Sequence, residues 1–178
     1  MIPLSFFLNI MKNKIFTILL IIFSVMVFAQ KNSVEIDGWT NVNTFKCTND
    51  NFKMPASISA TPENQMPNIH LKVEDFNCRN KMMTADFRKT LNAEKYPLFT
   101  IRFLEFKAVS NRFSAIVEVK MMNVSKKYTI EFSEYNKSLV GNKRLKFSDF
   151  NITPPKKMGG MIYVKDDVDL LFSLAIKN

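Results

Sequence analysis

The side chains able to do chemistry are few, and their spacing decides what each can be. His70 is the only histidine among 178 residues. As a general base it would need a nucleophile and an orienting partner within hydrogen-bond reach. Lys72 and Glu74 share its face of an extended segment, which reads as solvated. Glu74-Asp75 and Asp166-Asp167-Asp169 are carboxylate clusters. A metal site or an acid–base pair needs partners converging from other elements. The second cluster reads instead as a solvated hairpin between two strands. Only four glycines occur, two of them adjacent, so no glycine-rich phosphate loop is formed. No catalytic residue, metal ligand or cofactor is assigned, and an enzyme is the weakest reading.

The remaining reactive residues are Cys47 and Cys78, and their state depends on the compartment. Lys12 and Lys14 precede an apolar run, Ile15–Phe28, and Val27-Phe28-Ala29 places small residues at the −3 and −1 positions of a cleavage site. This is the pattern of a secretory signal peptide over residues 1–29, with Met11 as an alternative start. An uncleaved anchor is the competing reading, but the run is shorter than the roughly 20 apolar residues of a span. No cysteine follows the cleavage site, against a lipoprotein anchor. A periplasmic or secreted domain over 30–178 is expected. In an oxidising compartment Cys47 and Cys78 read as a disulfide, with two buried thiols as the alternative.

The formal charge is +9, and Lys126-Lys127, Lys143-Arg144 and Lys156-Lys157 are basic pairs placed at turns. They suit anionic head groups, a pyrophosphate or acidic glycans. A generally basic, solvated surface is the plainer reading. Nucleic acid is not an expected partner, because the aromatics alternate inward and form no exposed stacking platform. A transient contact with an anionic membrane surface and a homodimer stay open.

The elements that position these residues centre on 79–107. Met83, Phe87 and Leu91 recur at i, i+4 and i+8 and define one helical face. The spacing predicts a helix from an N-cap at Thr84 to Lys95, stopped by Pro97. Before it Ile69, Leu71 and Val73 alternate with polar residues, and after it Phe99, Ile101 and Phe103 do the same. Around this strand–helix–strand unit lie further strand candidates. Ser33–Lys46 bends at Gly38, Thr48–Asn51 reads as a turn, and Phe52–Ala60 as an edge strand limited by Pro55. Arg112–Met122 and Lys127–Glu134 make a hairpin, turning at Asn123–Lys126, with Phe113, Val117 and Val119 facing Tyr128, Ile130 and Phe132. Leu145 and Phe147 mark another strand. Met161–Val164 and Val168–Ile176 close the chain, with Phe172 and Leu174 inward.

The fold class is mainly β: an antiparallel barrel of about eight strands with one short amphipathic helix. A two-sheet sandwich is the runner-up. Closure removes exposed edges, and a barrel of this size just holds one small ligand. Met83, Phe87, Phe99, Ile101, Phe103, Phe113, Val117, Val119, Tyr128, Ile130, Phe132, Phe172 and Leu174 are the expected lining. Each buried CH₂ contributes about 0.8 kcal/mol, so a dozen give roughly 10 kcal/mol gross and a micromolar or tighter complex. The same side chains would equally fill a solid core.

Three segments resemble the YceI-like family. Lys95-Tyr96-Pro97 with Phe99 and Ile101 resembles its step from helix into strand. Asn123-Val124-Ser125-Lys126 resembles its G-V-T-K turn. The stretch from Leu145 to Ile176, LKFSDFNITPPKKMGGMIYVKDDVDLLFSLAI, resembles its closing segment. The resemblance implies a lipocalin-like barrel exported to the periplasm, holding a polyprenyl or related apolar chain. Asn123 stands where the family has a turn glycine, and Gly38-Trp39-Thr40-Asn41 replaces a histidine-containing segment common near the start. The expected function is a non-catalytic carrier of an isoprenoid or fatty-acyl lipid. The alternative is an envelope or stress-related interaction protein with a solid barrel and a basic partner surface.

Overall fold

Period-two alternation of apolar and polar residues builds almost the whole domain. A computed structural model describes residues 31–53, 67–109 and 112–176. The signal segment and most of the proposed edge strand lie outside these residues. Of that strand Phe52 and Lys53 are described, and neither is in a strand. The strands are β1 (Ser33–Thr40), β2 (Thr44–Asn49), β3 (Asn68–Lys72), β4 (Leu98–Val109), β5 (Arg112–Met121), β6 (Val124–Tyr135), β7 (Ser138–Lys146), β8 (Lys156–Lys157) and β9 (Ile162–Ala175). The single α-helix among the described residues, α1, spans Lys81–Thr90.

All pairs are antiparallel, and the path runs β2-β1-β9-β7-β6-β5-β4-β3, with β8 paired to β9. This curled eight-strand path with one helix is the expected lipocalin-like architecture. Each strand sends one face inward. Val34, Ile36, Ile69, Leu71, Ile101, Val117, Val119, Leu170 and Leu174 are all buried in one core. The curl is helped by Gly141, which pairs across the sheet with Phe132. A Cβ at Gly141 would lie 2.6 Å from the Phe132 ring, so only glycine admits that ring.

One irregularity keeps β4 amphipathic. The register slips between Phe103 and Glu105. Without this bulge Glu105 and Lys107 would follow Phe99, Ile101 and Phe103 onto the inner face. With it, Phe106 packs against the core and stacks on Phe113 at a centroid distance of 5.2 Å.

Several boundaries differ from the sequence reading. Asn80, not Thr84, caps α1, its side chain accepting from the Met83 N–H at 3.1 Å. The Thr84 hydroxyl donates to the Asn80 carbonyl and accepts from the Cys78 N–H, a local link that periodicity does not reveal. The helix ends at Thr90, well before Pro97, with Leu91 as its C-cap and Asn92 turning left-handed at φ 50°. Gly38 lies inside β1, where the register against β9 shifts between Gly38 and Thr40, and the chain turns into β2 at 41–43. Thr48 and Asn49 belong to β2. The β5–β6 turn is the pair Met122-Asn123, and β7 begins earlier than Leu145, after an Asn136-Lys137 turn with both residues at positive φ. The last two segments are one strand, β9. Asp166, Asp167 and Asp169 therefore sit within β9 and not at a hairpin. Asp166 accepts from Ser148, and Asp169 holds Arg144 through both oxygens. Lys126-Lys127 and Lys143-Arg144 likewise lie on strands.

The two ends of the path, β2 and β3, are joined at a seam. Thr48 and Asn77 exchange backbone hydrogen bonds at 3.0 and 2.9 Å. Asn49 is fully buried and donates its amide to the Lys72 carbonyl at 3.0 Å, while its oxygen accepts from the Asn51 N–H. Cys47 and Cys78 close the seam covalently across a sequence separation of 31. On the chain-entropy account a loop of that size gives roughly 3–4 kcal/mol. The paired variant Cys47→Ser/Cys78→Ser should lose about that much in urea unfolding, and thiol reductant should do the same to the wild type only. An unchanged midpoint in the variant would mean that the bridge adds nothing to the polar seam.

Candidate functional site

The interior is divided into two aromatic groups. Beneath α1, Phe76 lies 5.3 Å from Phe87 and 6.0 Å from Phe99 between ring centroids. Four residues further along β4, about 13 Å away at strand rise, Phe103, Phe132 and Phe172 form a closed triangle. Its sides are 5.9, 6.5 and 5.6 Å. These separations are those of rings in direct contact, so this part of the interior is packed by its own side chains.

The mouth under α1 is more open. An apolar cavity of about 100 Å³ lies between the helix and the start of β9. From α1 come Met83, Asp86, Phe87 and Thr90; from the β1–β2 corner, Thr40 and Phe45. Phe147, Pro155, Lys157, Ile162, Tyr163 and Val164 complete the wall. Phe87 and Phe147 are also core residues, so they form the floor between cavity and interior. A roomier hollow of about 760 Å³ is bordered by the charged Glu74, Arg88, Lys89 and Glu94 together with Ala93, Met122 and Ile152.

α1 is placed over the mouth by contacts that differ in strength. On its inner side Phe87 and Leu91 are buried. Arg88 reaches back to the segment after β3, donating to the carbonyls of Glu74 and Phe76 and pairing with the Glu74 carboxylate at 3.2 Å. On the cavity side, among the described residues, the helix is held by one ion pair, Lys157 Nζ to Asp86 Oδ1 at 2.8 Å. The Lys157 side chain is 52% exposed, and a pair this wet contributes no more than about 1 kcal/mol. One edge of the helix is thus clamped and the other only latched.

The residues named from sequence fall into three places. Met83 and Phe87 line the mouth cavity. Phe99, Ile101, Phe103, Val117, Val119, Ile130, Phe132, Phe172 and Leu174 are buried together in the core, and Phe113 and Tyr128 are half-buried against it. Cys47 and Cys78 are bonded at the seam. His70 is exposed on β3, and no group of three or more potential metal ligands converges among the described residues. Sequence reading missed Thr40, Phe45, Asp86, Phe147 and Tyr163, and it placed Lys157 in a basic pair at a turn, not against the helix. The Asp86–Lys157 pair joins residues 71 apart and leaves no periodic signal. Phe45 and Phe147 were legible as apolar positions but not as neighbours of the helix.

Tyr128 is the one residue of the expected lining that carries a polar group. Its hydroxyl meets Asp149 Oδ2 at 3.4 Å, and its ring lies 6.5 Å from that of Phe150. Burial first, and the Asp149 charge second, push its phenol from 10.0 up to about 12. The neutral form is favoured by folding, so this contribution is intact below pH 10.0 and is lost as pH rises towards about 12. An alkaline titration of tyrosinate absorbance should show one phenol ionising after the others, and Tyr128→Phe should remove that last step. Its persistence in the variant would assign it to another tyrosine.

No family profile and no curated protein sequence matches the chain. Solved structures do. BcnA of Burkholderia cenocepacia superposes with a TM-score of 0.64 at 17% identity, over 80% of this chain and 94% of that one. The Campylobacter jejuni YceI protein gives 0.57 at 14% identity, over 74% and 84%. A polyisoprenoid-binding domain from Saccharophagus degradans gives 0.54 at 8% identity, over 82% and 94%. At these identities the likeness establishes the fold.

Proposed function

We propose that this chain, which has the YceI-like fold, is an exported, non-catalytic holder of a long apolar molecule, an isoprenoid or fatty-acyl lipid. The observation that carries the reading is the apolar mouth cavity between a firmly clamped and a weakly latched edge of α1. Its floor residues, Phe87 and Phe147, are continuous with the aromatic core. The polyisoprenoid-binding domain among the structural neighbours supports the same ligand class. The disulfide suits an oxidising compartment, in keeping with the signal-like segment. Absence of converging catalytic groups is no obstacle, since holding an apolar chain needs only area removed from water.

The cavity is smaller than the roughly 300–1,000 Å³ of a typical small-molecule site. Uptake therefore requires α1 to lift at its latched edge, breaking Lys157–Asp86, and the Phe103–Phe132–Phe172 triangle to part. The packed triangle is also what favours the second reading, an envelope interaction protein whose barrel stays solid.

Native mass spectrometry of Gln30–Asn178 from an exporting bacterial host, followed by organic extraction, separates the two. The carrier predicts a discrete added mass that extracts as one lipid class. Met83→Asp, at the half-buried cavity wall, should abolish that mass while leaving the melting temperature within a few degrees. An apo mass that gains nothing on incubation with polyprenyl or acyl lipids would overturn the carrier and leave the solid barrel.

A further inference from the structure

Exposed apolar side chains are concentrated around the mouth. Eight large hydrophobic residues are exposed among the described residues, and five belong to the three segments that surround the cavity. They are Val42, Met82, Met158, Met161 and Tyr163, with Met82 at 73% and Met161 at 72%. Hydrogen bonds bring these segments together. Asn41 donates to the Met161 carbonyl at 2.9 Å and accepts from the Tyr163 N–H at 3.1 Å, which docks the β1–β2 turn, with Val42 at its tip, onto the β8–β9 turn. Met82 sits one helical turn before Asp86, whose carboxylate holds Lys157, the residue before Met158.

The β8–β9 turn is built to project. Met158, Gly159 and Gly160 are all left-handed, with φ of 52°, 67° and 98°. A Cβ at either glycine would meet nothing within 4 Å. A non-glycine residue in this conformation is uncommon, and here it holds a methionine in water. The charge on the same segments is one-sided. Residues 40–44, 81–86 and 156–165 carry Lys81, Lys156, Lys157 and Lys165 against a single carboxylate, Asp86, already paired with Lys157.

We propose that this rim is a docking surface for an anionic lipid bilayer, which it meets with the cavity mouth facing the membrane. Unbranched, polarisable methionines on a thin turn enter the head-group boundary without needing a complementary shape. The surrounding lysines add attraction to anionic head groups while their stems lie along the apolar zone. A protein partner would call for a flatter face with closely matched contacts, whereas this rim consists of separate projecting side chains. The inference rests on the lipid-holding reading for its purpose: docking would let an apolar chain pass between bilayer and barrel without crossing water.

The test is co-sedimentation of Gln30–Asn178 with vesicles of phosphatidylcholine alone and of phosphatidylcholine mixed with phosphatidylglycerol. The wild type should partition onto the mixed vesicles and much less onto the neutral ones, with added salt weakening the binding. Met158→Asp/Met161→Asp and Lys156→Glu/Lys165→Glu should each reduce partition at least about tenfold. All four positions are exposed and outside the cavity wall. Circular dichroism should therefore be unchanged, and lipid uptake from solution, read by native mass spectrometry, should persist. Wild-type protein that ignores the mixed vesicles, or variants that bind them as well as wild type, would overturn the docking surface. So would capture of a folded protein by this rim without vesicle binding. Loss of lipid uptake with vesicle binding intact would count against the carrier reading alone.

Discussion

Everything in this domain depends on holding together the two end strands of the sheet path. Among the described residues β2 and β3 are each paired on one side only, and an unpaired edge exposes backbone donors and acceptors. The seam meets this with three kinds of bond at one place. Thr48 and Asn77 make a single antiparallel bridge, the buried Asn49 amide takes the Lys72 carbonyl, and Cys47–Cys78 fixes the distance covalently. A buried asparagine is costly unless satisfied, and here both its amide and its oxygen have partners. The curl of the sheet, the enclosed aromatic core and the position of α1 all follow from this closure. The segment that carries Asn77 and Cys78 leads directly to the Asn80 cap.

The same closure makes the domain unequal from end to end. At one end the Phe103, Phe132 and Phe172 rings contact one another directly. At the other, α1 replaces strand pairing as the cover, and a helix seals a curled sheet less completely than another strand would. Arg88 and Phe87 anchor the helix to the segment after β3 and to the core, while Lys157 reaches it from the opposite wall. The weakest cover thus lies where the lining is most apolar and where projecting methionines gather.

Charge is spread over the whole surface. On the strand faces some basic residues are matched: Arg144 with Asp169, Arg102 with Glu118, Lys46 with Glu35. Exposed pairs of this kind contribute little to stability. At the mouth Lys81, Lys156, Lys157 and Lys165 stand on the same segments as Asp86, which pairs with Lys157.

Much of the fold was already determined by local sequence. Period-two alternation depends on nothing beyond the strand's own geometry, so Phe99, Ile101, Phe103, Val117, Ile130 and Phe172 were readable as inward positions. Met83, Phe87 and Leu91 marked the inner face of the helix for the same reason. Two cysteines behind a signal-like segment pointed to the disulfide. What tertiary structure decided are the interruptions and the meetings. The bulge after Phe103 turns Phe106 inward because the core, not the alternation, sets which residue is buried. Asp166, Asp167 and Asp169 look like a turn in sequence, yet remain in β9 because Ser148 and Arg144 partner two of them. The mouth itself joins residues from β1, β2, α1 and β9. Its key contact, Asp86 to Lys157, exists only because seam closure brings the helix beneath the start of β9, and no local pattern encodes a distance across a closed sheet.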